Sequence, residues 1–177
     1  MEATLYLVQE GERRRAPVTQ YEIVKSLFLA DVAHLERYGR PITFDNYAAL
    51  EFGPVPEAAY DMLKPNYNPN HYFADEAWPP WRREHAHNRA YFYRGPRRDP
   101  NLRVLSKTDT AALSAALDEV KSLRFGGVVD KTHRNPAYTE AWNSRGEKGS
   151  APMNYARVMS EPDEELAADL AEASRYA

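Results

Sequence analysis

The sequence contains no cysteine. That excludes a disulfide framework, a thiolate nucleophile and a cysteine-ligated zinc site, and it fits a reducing compartment. Long apolar runs are missing too, so no segment has the length of a membrane span. The first residues, Met1 to Glu10, lack a basic stretch ahead of a continuous apolar one, which argues against a signal peptide. A cytoplasmic protein is expected. Catalytic signatures are equally scarce: there is no phosphate-binding Walker loop, dinucleotide fingerprint, HExxH pair or G-x-S-x-G elbow. Neither a cofactor nor a bound metal is expected, and the reading is that the chain is not an enzyme.

What is present is apolar material enough for a core. Hydrophobic residues make up 43% of 177 and aromatics 12%, while mean hydropathy is -0.71 and prolines number 13. This combination predicts one compact domain with long polar loops. The net charge of -3 is unevenly spread. Residues 82 to 103 hold seven Arg against Glu84 and Asp99, whereas from Glu161 onward six acids face only Arg175. Two solvated faces are the simpler reading, because no basic motif of known docking geometry accompanies the first block. Docking of the acidic tail onto the basic segment is an alternative.

Along the chain, residues 2 to 11 read as a short helix. Thr19 and Glu22 form a capping box, with Val18 and Ile23 at the hydrophobic-staple positions. Val24, Leu27, Phe28, Leu35 and Tyr38 continue at helical spacing until Gly39 supplies a left-handed stop. Asp31 falls on that apolar stripe, and a buried carboxylate there needs a donor from elsewhere, a backbone N–H or an Arg, since Lys25 has the wrong spacing. Pro54 is placed to open a helix running to Lys64. Residues 65 to 88 dissolve into a long loop with Tyr67, Tyr72, Phe73, Trp78 and Trp81. Ala90–Arg94 and Leu102–Leu105 suggest a hairpin with a basic tip. Ser106 and Asp109 signal a helix with the stripe Leu113, Leu117, Val120 and Leu123, ending at Gly126-Gly127. A short helix over 128 to 133 follows, and Asn135-Pro136 caps another that carries Tyr138 and Trp142. Residues 146 to 150 read as a flexible linker, and a narrow acidic helix begins near Asp163. The fold class is mainly α, a compact multi-helix single domain with a small β-hairpin or short antiparallel sheet. Residues 1–160 form the domain and 161–177 an acidic terminal helix or tail.

Few residues offer chemistry. His85 and His87 lack the third and fourth ligands a metal needs. His133 lies nine residues before Trp142, which fits a packed histidine better than a general base. Aromatics of the 65–81 loop and the arginines Arg94, Arg97 and Arg98 fit a partner-binding surface of anchors with a charged rim; the alternative, of equal weight, is that Trp78 and Trp81 fold back over the core.

Three linked blocks carry a resemblance. Lys25-Ser26-Leu27-Phe28-Leu29-Ala30-Asp31, then Tyr38-Gly39-Arg40-Pro41-Ile42-Thr43, then Phe52-Gly53-Pro54-Val55-Pro56 with Tyr60-Asp61, resemble the SocA-like antitoxin family, the Panacea domain. His133 followed by Trp142 looks like the second half of that domain. The resemblance implies an antitoxin that neutralises a cognate protein toxin by binding it, on a helical domain without catalytic residues. For the SocA type it implies a proteolytic adaptor that delivers the toxin to the ClpXP protease. Lys25, Asp31, Gly39, Phe52, Gly53, Pro54, Val55, Tyr60, His133 and Trp142 would then be scaffold residues of the family. Competing readings are a nucleic-acid-binding regulator using residues 82–103, and an enzyme using Asp31 or His133.

Overall fold

The computed structural model describes residues 1–68, 78–85, 90–161 and 163–173. Two long helices form its centre. The first, α2 (Gln20–Tyr38), begins at the expected capping box: Glu22 N donates to Thr19 Oγ1 at 3.2 Å, and Thr19 N donates to Glu22 Oε2 at 2.7 Å. Val18 and Ile23 are fully buried beside it. Gly39 ends it at φ 70°, a left-handed turn that costs glycine little.

The second, α4 (Lys107–His133), starts at the reciprocal bonds of Ser106 and Asp109. Asp109 is buried and also faces Arg40 Nη2 at 2.8 Å and His34 Nε2 at 2.9 Å, which ties the start of α4 to the end of α2. Leu113, Leu117 and Val120 pack inward, but Leu123 is exposed. The reason is a kink. Arg124 takes φ 57° and ψ −177°, so the helix breaks two residues before the Gly126-Gly127 pair expected to end it, and it resumes as a second limb to His133.

The first helix, α1 (Glu2–Arg13), buries Leu5, Leu7 and Val8 against this pair. Two three-stranded antiparallel sheets flank the helices. One orders β1 (Val18–Thr19), β5 (Tyr91–Arg94) and β4 (Arg82–His85); the other orders β3 (Gly53–Pro56), β2 (Tyr47–Leu50) and β6 (Ser150–Pro152). The remaining helices are α3 (Glu57–Met62), α5 (Pro136–Ser144) and α6 (Glu164–Ala173). Mainly helical architecture with small sheets is therefore what the sequence encodes.

Several local expectations are corrected. The strand partner of Tyr91–Arg94 is not Leu102–Leu105: β1 and β4 occupy both edges of β5, and Leu102 and Val104 lie in an exposed turn. Part of the supposed long loop is thus strand β4. Pro54 opens no helix but pairs with Ala49 in β3, an edge strand where a missing N–H is tolerated, and α3 begins at Glu57. The end of the supposed 146–150 linker, Ser150, starts β6 and pairs with Leu50. Finally, among the described residues α6 packs chiefly against the 3-10 turn Tyr155–Arg157, burying Leu170, and not against the basic segment that was its alternative dock. Among the described residues no helix is long and apolar enough to cross a membrane.

Candidate partner-binding site

The β2–β3 hairpin turns through Glu51 and Phe52, since Leu50 pairs with Gly53. Positive φ falls on Gly53, at 98°. Two side chains from different elements hydrogen-bond the main chain of this turn, and a third packs on one of them. From α2, Lys25 Nζ donates to Pro54 O at 2.8 Å. From α5, the Tyr138 hydroxyl donates to Leu50 O at 2.9 Å. From the second limb of α4, His133 stacks on Tyr138 at 4.3 Å. The hairpin is therefore clamped where an exposed two-residue turn would otherwise move.

Gly53 is required by contact as well as by conformation. A Cβ there would lie 2.6 Å from Thr132 Oγ1 and 2.9 Å from Lys25 Nζ, inside any van der Waals distance. Lys25 is 1% exposed, and burial pushes its ammonium down to about 7 from an ordinary value of 10.5. His133 is lowered as well, by burial first and by the Lys25 charge second; its Nε2 is buried without a partner among the described residues.

The clamp leaves Phe52 outside. It is 52% exposed and meets Phe125, 53% exposed, edge to face at 5.5 Å. Phe125 in turn packs on Tyr21 at 4.9 Å, and the Tyr21 hydroxyl donates to Phe125 O at 3.2 Å. This aromatic ridge exists because the Arg124 kink aims the next residue back toward α2. A groove of about 390 Å³ lies on one side of it, lined by Tyr21, Lys25, Phe52, Gly53, Val55 and Tyr60 among others. A second of about 270 Å³ lies on the other, bounded by Glu22, Lys121 and Arg124. Exposed aromatics joined to flanking hollows, with a strained non-glycine backbone beneath them, have the anatomy of a protein-binding surface.

The expected site residues divide into groups. Lys25, Gly53, Pro54 and His133 meet at the clamp; Phe52, Val55 and Tyr60 line the groove above it. Trp142 stacks on Tyr138 at 6.1 Å, so it reaches His133 through that ring rather than directly. Asp31 stands apart. Its buried carboxylate accepts Ile42 N at 2.8 Å, Thr43 N at 3.1 Å, the Tyr47 hydroxyl at 2.8 Å and the Thr43 hydroxyl, which pins residues 42–47 to α2. Burial raises its pKa despite these donors, and it lines neither groove. Gly39 serves as a helix stop alone.

Of the two alternatives for the tryptophans, the structure shows the one that folds them back over the core. Trp81 is 2% exposed, inserted between Trp78 at 5.8 Å and Tyr93 at 6.3 Å, because its ring completes the core under β5. Trp78 is half-buried and packs on Tyr67 at 5.3 Å. Tyr72, Phe73 and His87 lie outside the described residues. Arg94 pairs with Glu84 and Glu12, and Arg98 with Glu2, so α1 and β4 neutralise part of the basic segment. Arg97 is exposed.

The family model described as the SocA-like antitoxin, Panacea domain, matches residues 23–139. The chain belongs to the SocA-like antitoxin family. No curated protein and no solved structure shows a significant match. The matched Panacea segment begins inside α2 and ends inside α5, so it contains the clamp, the β2–β3 hairpin and the whole aromatic ridge except Tyr21. A cognate toxin is the partner this family implies.

Sequence reasoning passed over Tyr21, Arg124, Phe125, Thr132 and, as a hydrogen-bond donor, Tyr138. Phe125 carried one usable sign: it is a large apolar residue off the Leu113 to Leu123 stripe and directly before two glycines. Arg124 carried none, because arginine is not a residue chosen for positive φ.

Proposed function

We propose that this chain is the antitoxin of a toxin–antitoxin pair, which binds a cognate protein toxin through the Tyr21–Phe52–Phe125 ridge and its flanking grooves. Membership of the antitoxin family supports the role, and the observation that carries the choice of surface is the exposed, edge-to-face pair Phe52 and Phe125 above a rigid clamp. Large apolar rings held rigid before binding lose little conformational entropy when a partner covers them. Neutralisation can be masking alone. The finer reading, transfer of the bound toxin to the ClpXP protease, has its support in the SocA type of the family.

Co-expression with the product of the neighbouring reading frame tests the role. Growth arrest by that product should be relieved by this chain, and the two should co-purify. An arrest left unrelieved, with no complex, would sink the reading. In the adaptor version the toxin's half-life shortens when this chain is present and ClpXP is active; an unchanged half-life with an intact complex leaves masking.

A further inference from the structure

The buried Lys25 ammonium is incomplete. It carries three N–H donors, and its one hydrogen-bond acceptor among the described residues is Pro54 O at 2.8 Å. The Tyr21 ring lies 5.6 Å away on one side, and no carboxylate of the described chain comes within ion-pair distance. Yet Lys25 lines the 390 Å³ groove, in company with the apolar faces of Tyr21, Phe52, Val55 and Tyr60. A cation held in apolar surroundings with two unfilled donors stays costly until an anion arrives, and it then binds that anion more strongly than an exposed lysine does.

Resting on the toxin-binding reading, we propose that the groove takes a single acidic side chain of the toxin, an Asp or Glu flanked by an apolar residue, with Lys25 as its buried counter-ion. The apolar flank would cover Phe52 and Tyr60 while the carboxylate fills the two open N–H positions. A polyanion fits poorly, because the groove offers one positive charge and Glu51 stands exposed among its lining residues. In the free protein the lowered Lys25 pKa of about 7 makes the cation only partly populated at neutral pH, so binding the carboxylate draws a proton onto it. Two other titratable groups facing it do not share this window: Tyr21 is pushed up to about 12 and His133 is lowered from 6.5.

The test is calorimetric titration with the protein encoded by the neighbouring reading frame. Lys25→Met keeps an unbranched buried chain and removes the charge; Lys25→Gln serves if the methionine variant does not fold. The expected result is at least tenfold weaker binding for the variant with unchanged or higher melting temperature. Wild-type affinity should also fall as pH rises from 6.5 to 8.5, and the variant should be flat. Variant binding equal to wild type, or equal pH dependence in both, while Phe52→Ala loses affinity, overturns the carboxylate site and keeps the toxin-binding face. Failure of the wild-type chain to bind that protein at all overturns the toxin reading itself.

Discussion

Lys25 Nζ donates to Pro54 O at 2.8 Å and thereby fastens the middle of α2 to the edge strand β3. The bond explains why a lysine sits in the core and why a proline occupies a strand. Pro54 cannot use an N–H it lacks, and its carbonyl is taken by a side chain rather than by another strand. The hairpin tip is left rigid and Phe52 open.

Gly53→Ala should destabilise the protein by more than about 2 kcal/mol, since the added Cβ meets Thr132 Oγ1 and Lys25 Nζ and the residue must hold a strained positive φ. Urea denaturation measures this. Partner affinity should fall with it, because the added Cβ also displaces the Lys25 ammonium that lines the groove. A neutral substitution would mean that Thr132 and Lys25 can move away from the added Cβ.

Burial of Lys25 has a definite sign in stability against pH. Its folded pKa of about 7 lies below the unfolded 10.5, so between these values the unfolded chain binds the extra proton and stability rises with pH. The penalty is fully present below pH 7 and amounts to a few kcal/mol. Lys25→Met should therefore raise stability most at pH 6 to 7 and lose that advantage toward pH 9.5. Denaturation midpoints for both proteins across that range test it, and a constant difference would contradict it.

The kink at Arg124 supports a third expectation. Its φ and ψ lie in a region that glycine alone occupies without strain. Arg124→Gly should stabilise the fold by about 1 kcal/mol and leave Phe125 against Tyr21. Near-unchanged fluorescence of the aromatic ridge together with a higher melting temperature is the expected pair of observations.

Asp31 gathers four donors at no cleft. Asp31→Ala would orphan the Ile42 and Thr43 N–H groups and should cost about 3 kcal/mol. The loss should appear in hydrogen exchange as faster exchange over residues 42–47, with partner binding impaired only through unfolding.

These elements differ in how openly the sequence declares them. Capping boxes at Thr19 and Ser106, the Gly39 stop and the Asn135-Pro136 start are local chemistry, and each is found where the residues placed it. The strand pairings were hidden for the opposite reason: β1 has two residues, and its partner β5 lies more than seventy positions away, so no local pattern marks either edge. Asp31 declared its need for donors through its place on an apolar stripe, but not their identity. At the candidate site, the Phe-Gly-Pro-Val-Pro run was visible as a junction. The ridge was not, because it depends on a backbone outlier at a residue type that seldom adopts one. The sequence leaves Trp81 open between surface and core for a related reason: composition signals a large ring but not which side of the chain it faces.

Toxin binding by the Phe52–Phe125 face is measured by growth rescue in cells that express the neighbouring reading frame's product with either the wild-type chain or the Phe52→Ala/Phe125→Ala double variant, at matched soluble levels. The wild-type chain should restore growth and the double variant should fail, with the variant's melting temperature within a few degrees of wild type. Full rescue by the double variant would contradict the assignment of the toxin-binding surface to this face.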